Sequence, residues 1–190
     1  MKRDIIIAGV GGQGVLSIST IIAASALKEG LHVKQAEVHG MAQRGGAVVS
    51  DLRLSDSPIH SSTIPRGCAD VILSMEPLES LRYLEYLSPE GLVVASESPV
   101  INISDYPELE SVLAAIKNLP RSVLVDADGL ARKAGSPRAS NMVMVGAVSG
   151  SLPLRQDTLE SFITEAFAGK GEKMVQTNID AFRAGRALSN

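Results

Sequence analysis

The chain has 190 residues, 45% hydrophobic and 21% charged, a composition that supports a packed core with no need of disulfides or metals to fold. A net charge of -3, an isoelectric point near 5.6 and the absence of any Lys or Arg run argue against nucleic acid as a partner. The single cysteine, Cys68, excludes an internal disulfide and cannot hold zinc or an iron–sulfur cluster by itself, so it reads as a small core residue.

At the start, Ile5 to Ala8 is too short for the core of a signal peptide, and Ser17, Ser19, Thr20 and Ser25 interrupt the next apolar stretch. A cytoplasmic protein without a membrane span is therefore expected. Asp4 to Gly9 is a β-branched run ended by a turn signal, as a central parallel strand would be. From Gly14 the period changes: Ile18, Ile21, Ile22 and Ser25 or Ala26 share a helix face, and Gly30 supplies a C-terminal cap. The alternating "HVKQAEV" makes a second strand, which completes a strand–helix–strand unit from Asp4 to Val38.

The next strand, Ala47 to Ser55, follows the loop "HGMAQRGG" without a crossover helix, which points to an antiparallel course. Beyond it, "ADVILSM" reads as a buried strand, and Pro77 fits the first turn of a helix "PLESLRYLEYL". Then follow a strand "GLVVASE", a helix "ELESVLAAIKNL" and a strand "SVLVDAD", whose acids suit the cap of the next helix. The segment from Ser96 to Pro107, with its short extended piece "VINIS", has no assigned place. The helix "NMVMVGAVSGSL" is apolar nearly all round, hence buried or against a partner, and Gly146 and Gly150 permit close approach of a helix or a second subunit. Amphipathic helices over Gln156 to Ala168 and Glu172 to Leu188 close the chain. The alternation predicts an α/β fold over 1–190 as a single domain, three-layered, with a mostly parallel Rossmann-like sheet and helices on both faces.

Two glycine-rich stretches carry the chemistry. Gly9, Gly11 and Gly14, with Gly12 in addition, form G-x-G-x-x-G after a strand and before a helix, where backbone N–H groups can meet a phosphate. A dinucleotide site would also need an acid ending the second strand, for which Glu37 is the candidate. In the second stretch, Arg44 stands before Gly45 and Gly46 with His39, Gly40 and Gln43 nearby, so a guanidinium can reach a carboxylate or phosphate without crowding. His32, His39 and His60 have no metal-ligand spacing, and Ser96, Ser98 and "VDADG" compose no nucleophile elbow.

Taken together, "GVGGQGVLSIS", "EVHGMAQRGGAVVSDLRLS", "ADVILSMEPLESLRYL", "NMVMVGAVSG" and "NIDAFRAG" resemble the gamma subunit or domain of the 2-oxoacid:ferredoxin oxidoreductases. The form "HGMAQRGG" is most similar to the small beta subunit of the indolepyruvate enzymes. The resemblance implies oxidative decarboxylation of a 2-oxoacid, such as indolepyruvate or another aryl pyruvate, to an acyl-CoA, with coenzyme A as co-substrate and electrons passing to ferredoxin through the complex. It places thiamine diphosphate, magnesium and iron–sulfur clusters in a large partner subunit and none in this chain alone. It also implies that the loops holding Gly9, Gly11, Gly12, Gln13 and Gly14, and His39, Gln43, Arg44, Gly45 and Gly46, face that partner's active site as candidates for substrate or coenzyme A binding. Arg44, with Gln43 and His39 near it, is expected to hold the 2-oxoacid carboxylate or a phosphate of coenzyme A, while the glycine loop either touches coenzyme A or only packs. A free-standing dinucleotide-binding oxidoreductase and a purely structural interaction subunit are the alternative readings.

Overall fold

The computed structural model describes residues 1–40 and 45–189, with the side chain of His39 left aside. Six strands form one sheet in the order β2-β3-β1-β4-β5-β6: β1 (Lys2–Val10), β2 (His32–His39), β3 (Ala47–Ser55), β4 (Ala69–Ser74), β5 (Leu87–Ser96) and β6 (Ser122–Val125). β4 runs parallel to β1, β5 to β4 and β6 to β5, whereas β3 is antiparallel to both β1 and β2. The expected antiparallel third strand is thus found, and it lies between the first two strands.

Side-chain alternation along β1 divides the core. Ile5 and Ile7 pack under α1 (Val15–Lys28), α4 (Ala127–Lys133), α5 (Ser140–Ser149) and α6 (Gln156–Ala168), while Ile6 faces the side of α2 (Pro77–Arg82) and α3 (Leu109–Lys117). Helices therefore cover both faces, and α7 (Glu172–Arg186) packs on α5, α6 and α4. At the amino end of β1 the fully buried Asp4 takes two hydrogen bonds from Arg53 of β3, at 2.9 and 3.0 Å, and pairs with Lys2 at 2.6 Å. Two charged partners hold a carboxylate that would be costly to bury alone.

Local chemistry sets most boundaries. α1 stops in a Schellman turn: Gly30 has φ +80°, its N–H meets the Leu27 carbonyl at 3.1 Å, and the Leu31 N–H meets Ala26 at 3.0 Å. α2 opens on Glu76 with Pro77 as its first residue and ends at Arg82, short of the predicted helix, because the chain turns through a 3₁₀ segment, Leu84–Tyr86, into β5. β5 in turn begins earlier than "GLVV", at Leu87, across an irregularity in its pairing with β4. Asp126 caps α4 by accepting from the Gly129 N–H at 2.8 Å, as its position predicted.

The apolar helix α5 finds its partner within the chain. An added Cβ on Gly146 would lie 2.0 Å from the Phe182 carbonyl oxygen, and one on Gly185 1.9 Å from that of Val143, so α5 and α7 meet backbone to backbone. Cys68 corrects the sequence reading. It is exposed, because it belongs to the turn before β4 rather than to the strand, its N–H bonded to the Pro65 carbonyl.

Candidate functional site

The site is built where β1 ends. Gly9 admits no side chain: a Cβ there would lie 2.9 Å from both Gln13 Oε1 and Val15 Cγ2, and 3.1 Å from Met75 Cβ. Gly12 and Gly14 take φ of +101° and +83°, a backbone that L side chains rarely adopt. Gln13 works as a post inside the loop. Its Oε1 accepts from the Val10 N–H at 2.8 Å and its Nε2 donates to the Met75 carbonyl at 3.0 Å, tying the loop to the end of β4.

The second glycine stretch is bonded to the first. The Gly11 N–H donates to the Gly46 carbonyl at 2.8 Å, and the Gly40 N–H to Ala47 at 3.2 Å, closing the hairpin between β2 and β3. His39 is the last residue of β2, paired with Val48. Gln43 and Arg44 lie outside the described residues. Gly45 has φ +77°, and its carbonyl accepts from the Asn102 side-chain amide. The segment left without a place in the sequence reading therefore reaches the glycine loops, although residues 97–108 form neither helix nor strand.

α1 begins here with Gly14 as its N-cap, no side-chain cap and no acidic residue in its first turn. Its first N–H groups and the positive end of its dipole are open to an anion. A hollow of about 290 Å³ lies against this end, lined by Gly11, Gly12, Gly14, Leu16 and Val48. A second hollow, of about 470 Å³, also borders Gly12 and reaches Ser96, Ser98, Asp128, Arg138 and Ser140 at the carboxyl ends of the parallel strands. Asn141, at the start of α5, lies so close that a Cβ on Gly14 would be 2.8 Å from its Nδ2, and its own Oδ1 is buried with no hydrogen-bond partner among the described residues.

The second hollow gathers residues the sequence kept apart. Ser96 and Ser98 do come near Asp128, but Ser96 Oγ accepts from the Ser98 N–H at 3.2 Å, so their bond is a turn contact rather than a proton relay. Arg138 and Ser140 were missed by sequence reasoning. The available signal was "SPRAS", where Ser136 caps a 3₁₀ turn by accepting from the Arg138 N–H at 3.3 Å and Pro137 starts it.

Two ionisable groups beside the site are shifted. Burial, followed by the hydrogen bond to the Glu76 carboxylate, pushes the Tyr106 hydroxyl well above its usual range. Burial also raises the Glu79 carboxyl, with Arg82 opposing and Glu76 reinforcing the change. His32 starts β2 and Cys68 precedes β4, both at the sheet's opposite end. Among the described residues, no group of three or more His, Cys, Asp or Glu is placed to hold a metal ion.

Glu37 does not complete a dinucleotide site. Glu37 pairs with Ser50, and Ser50 with Ile7. The backbone of Glu37 is therefore two strands, roughly 9.5 Å, from that of β1 and short of its tip, because β3 intervenes.

The fold is thus an α/β domain with two bonded glycine loops and the N-terminus of α1 at the carboxyl edge of its sheet. The chain belongs to the pyruvate ferredoxin/flavodoxin oxidoreductase family, whose model matches residues 4–188. It is 39% identical to the indolepyruvate oxidoreductase subunit IorB of Archaeoglobus fulgidus, over 97% of this chain and 94% of that protein. Its fold is similar to a 2-oxoglutarate:ferredoxin oxidoreductase from Magnetococcus marinus with 2-oxoglutarate, coenzyme A and succinyl-CoA bound, at TM-score 0.79 and 23% identity, covering 99% of this chain and 31% of that one. It is also similar to a keto/oxoacid ferredoxin oxidoreductase gamma subunit from Geobacter sulfurreducens PCA, at TM-score 0.71 and 21% identity, covering 98% of each.

Proposed function

We propose that this chain is the small subunit of an oxidoreductase that converts an aryl 2-oxoacid, indolepyruvate or a close analogue, to its acyl-CoA, and that its glycine loops receive an anionic group of a substrate at a partner subunit's active site. The observation that carries the reading is the Gly11–Gly46 hydrogen bond, which joins both glycine stretches beside the uncapped start of α1. The name of the 39% identical relative supports the substrate class. The structure with coenzyme A bound supports that molecule as co-substrate.

Exposed apolar side chains support a partner on this edge. Leu16 is 39%, Val38 65% and Ile101 73% exposed. Leu16 lines the smaller hollow, Val38 pairs with Val49 at the top of β2, and Ile101 adjoins the residue that holds Gly45. Apolar side chains exposed together on one edge mark a surface for protein contact.

The clusters are assigned to that partner because a single cysteine cannot hold one, and thiamine diphosphate and magnesium because the family resemblance implies them there. When bound there, thiamine supplies the carbanion chemistry and the clusters carry single electrons to ferredoxin. The part of this chain is binding and orientation: N–H groups from α1 and the Arg44 guanidinium meet a carboxylate or a phosphate and hold it as water leaves.

Arg44→Ala in the assembled complex tests this. Loss of one charge-assisted hydrogen bond raises the Michaelis constant for the 2-oxoacid or for coenzyme A by roughly ten- to a hundredfold. Unchanged constants for both substrates, or acyl-CoA formation by the purified chain alone, contradict the proposal.

A further inference from the structure

Glu76 is 1% exposed, and a cap for α2 engages only half of its carboxylate. Its Oε2 accepts from the Glu79 N–H at 2.8 Å. Its Oε1 turns the other way, accepting from the Val100 N–H at 3.4 Å and from the Tyr106 hydroxyl. Both contacts lie on the irregular strap 97–108. Between them in sequence, the Asn102 amide donates to the Gly45 carbonyl, and the adjacent Gly46 carbonyl accepts from the Gly11 N–H at 2.8 Å. A series of hydrogen bonds thus leads from one buried carboxylate, through the strap, to both glycine loops.

We infer that Glu76 is a positioning residue for the second glycine loop, acting through Tyr106 and Asn102. A strap without helix or strand has little internal order, so its course depends on such anchors. Its side chain suits the task because both oxygens accept, one holding the helix start and the other the strap. Gly45, whose positive φ sets the loop's exit, is the last link, and it follows Arg44 directly in sequence. The inference rests on the reading of these loops as an anion site.

The test uses Tyr106→Phe, which removes a hydroxyl only, and Asn102→Ala, with Ile101→Ala as a control on the same strap. Exchange of the Gly11 amide, followed by NMR in the full chain, is expected to rise about five- to tenfold in the first two variants, the equivalent of one lost hydrogen bond, and to stay at the wild-type rate in the control. In the assembled complex the same two variants are expected to raise the Michaelis constant affected by Arg44→Ala while kcat holds. Unaltered Gly11 exchange in both variants overturns the strap's role. Faster exchange with unmoved Michaelis constants leaves the strap standing and overturns instead the reading of the loops as a substrate site.

Discussion

Gly146→Ala is expected to loosen the contact between α5 and α7 and, with it, the seat of the glycine loop. The new Cβ would sit 2.0 Å from the Phe182 carbonyl oxygen and 2.7 Å from the Arg186 nitrogen, against an ordinary contact distance of at least 3.4 Å. Both obstacles are backbone, so no side-chain rotation relieves them and α7 must withdraw by about 1.4 Å, the difference 3.4 − 2.0. Withdrawal opens a gap around Phe182, which is fully buried. Overpacking of this kind costs about 3 kcal/mol or more, and the gain in helix propensity from replacing glycine returns about 1 kcal/mol. A net loss of about 2–4 kcal/mol corresponds to a fall in Tm of roughly 5–15 °C for a chain of this size. Urea unfolding followed by circular dichroism measures it, with Gly169→Ala as the control, since that glycine ends α6 at φ -67° with nothing within 4 Å of an added Cβ. A Gly146→Ala chain as stable as the control would refute the backbone-to-backbone contact.

Two further outcomes are expected. Gly12→Ala meets no atom of the described residues within 4 Å, so the cost expected is that of the φ of +101°, about 1 kcal/mol, and the folded complex should still show a raised Michaelis constant for an anionic substrate. Wild-type kinetics in that variant would mean that the loop only packs. Glu79→Gln should alter the dependence of stability on pH. Burial raises this carboxyl above its ordinary 4.5, so the folded chain holds the proton more tightly than the unfolded one. Its stabilisation is complete in acid and lost as pH rises through the folded value. The variant should lack that decline in urea titrations carried upward from pH 4.5, and an equally steep decline would count against the assignment.

The glycine motifs were legible because their demands are local. A strand that ends in Gly9 and a helix that begins after Gly14 announce a turn by composition, and Gly30 announces where the helix stops. The partners of those turns were not legible. Nothing in "GVGGQG" says that Gly11 bonds Gly46, that Gln13 reaches Met75, or that Asn102 approaches Gly45 from a distant segment. Arg138 escaped notice for the same reason: only the folded chain brings its short turn to the hollow beside Gly12. Cys68 misled because its residue type favours burial while its position, in a turn bonded to Pro65, decides exposure.

By itself, the sequence determined the α/β alternation, both glycine turns, the reversal of β3 and the bounds of α6, because periodicity, caps and loop length act over a few residues. Tertiary structure alone decided that β3 enters between β1 and β2 and sets the strand of Glu37 one place away from β1. It also supplied α7 as the partner of α5 and made the strap 97–108 part of the site. Those choices depend on which distant surfaces bury one another and which buried polar groups find partners, and no window of neighbouring residues contains that information.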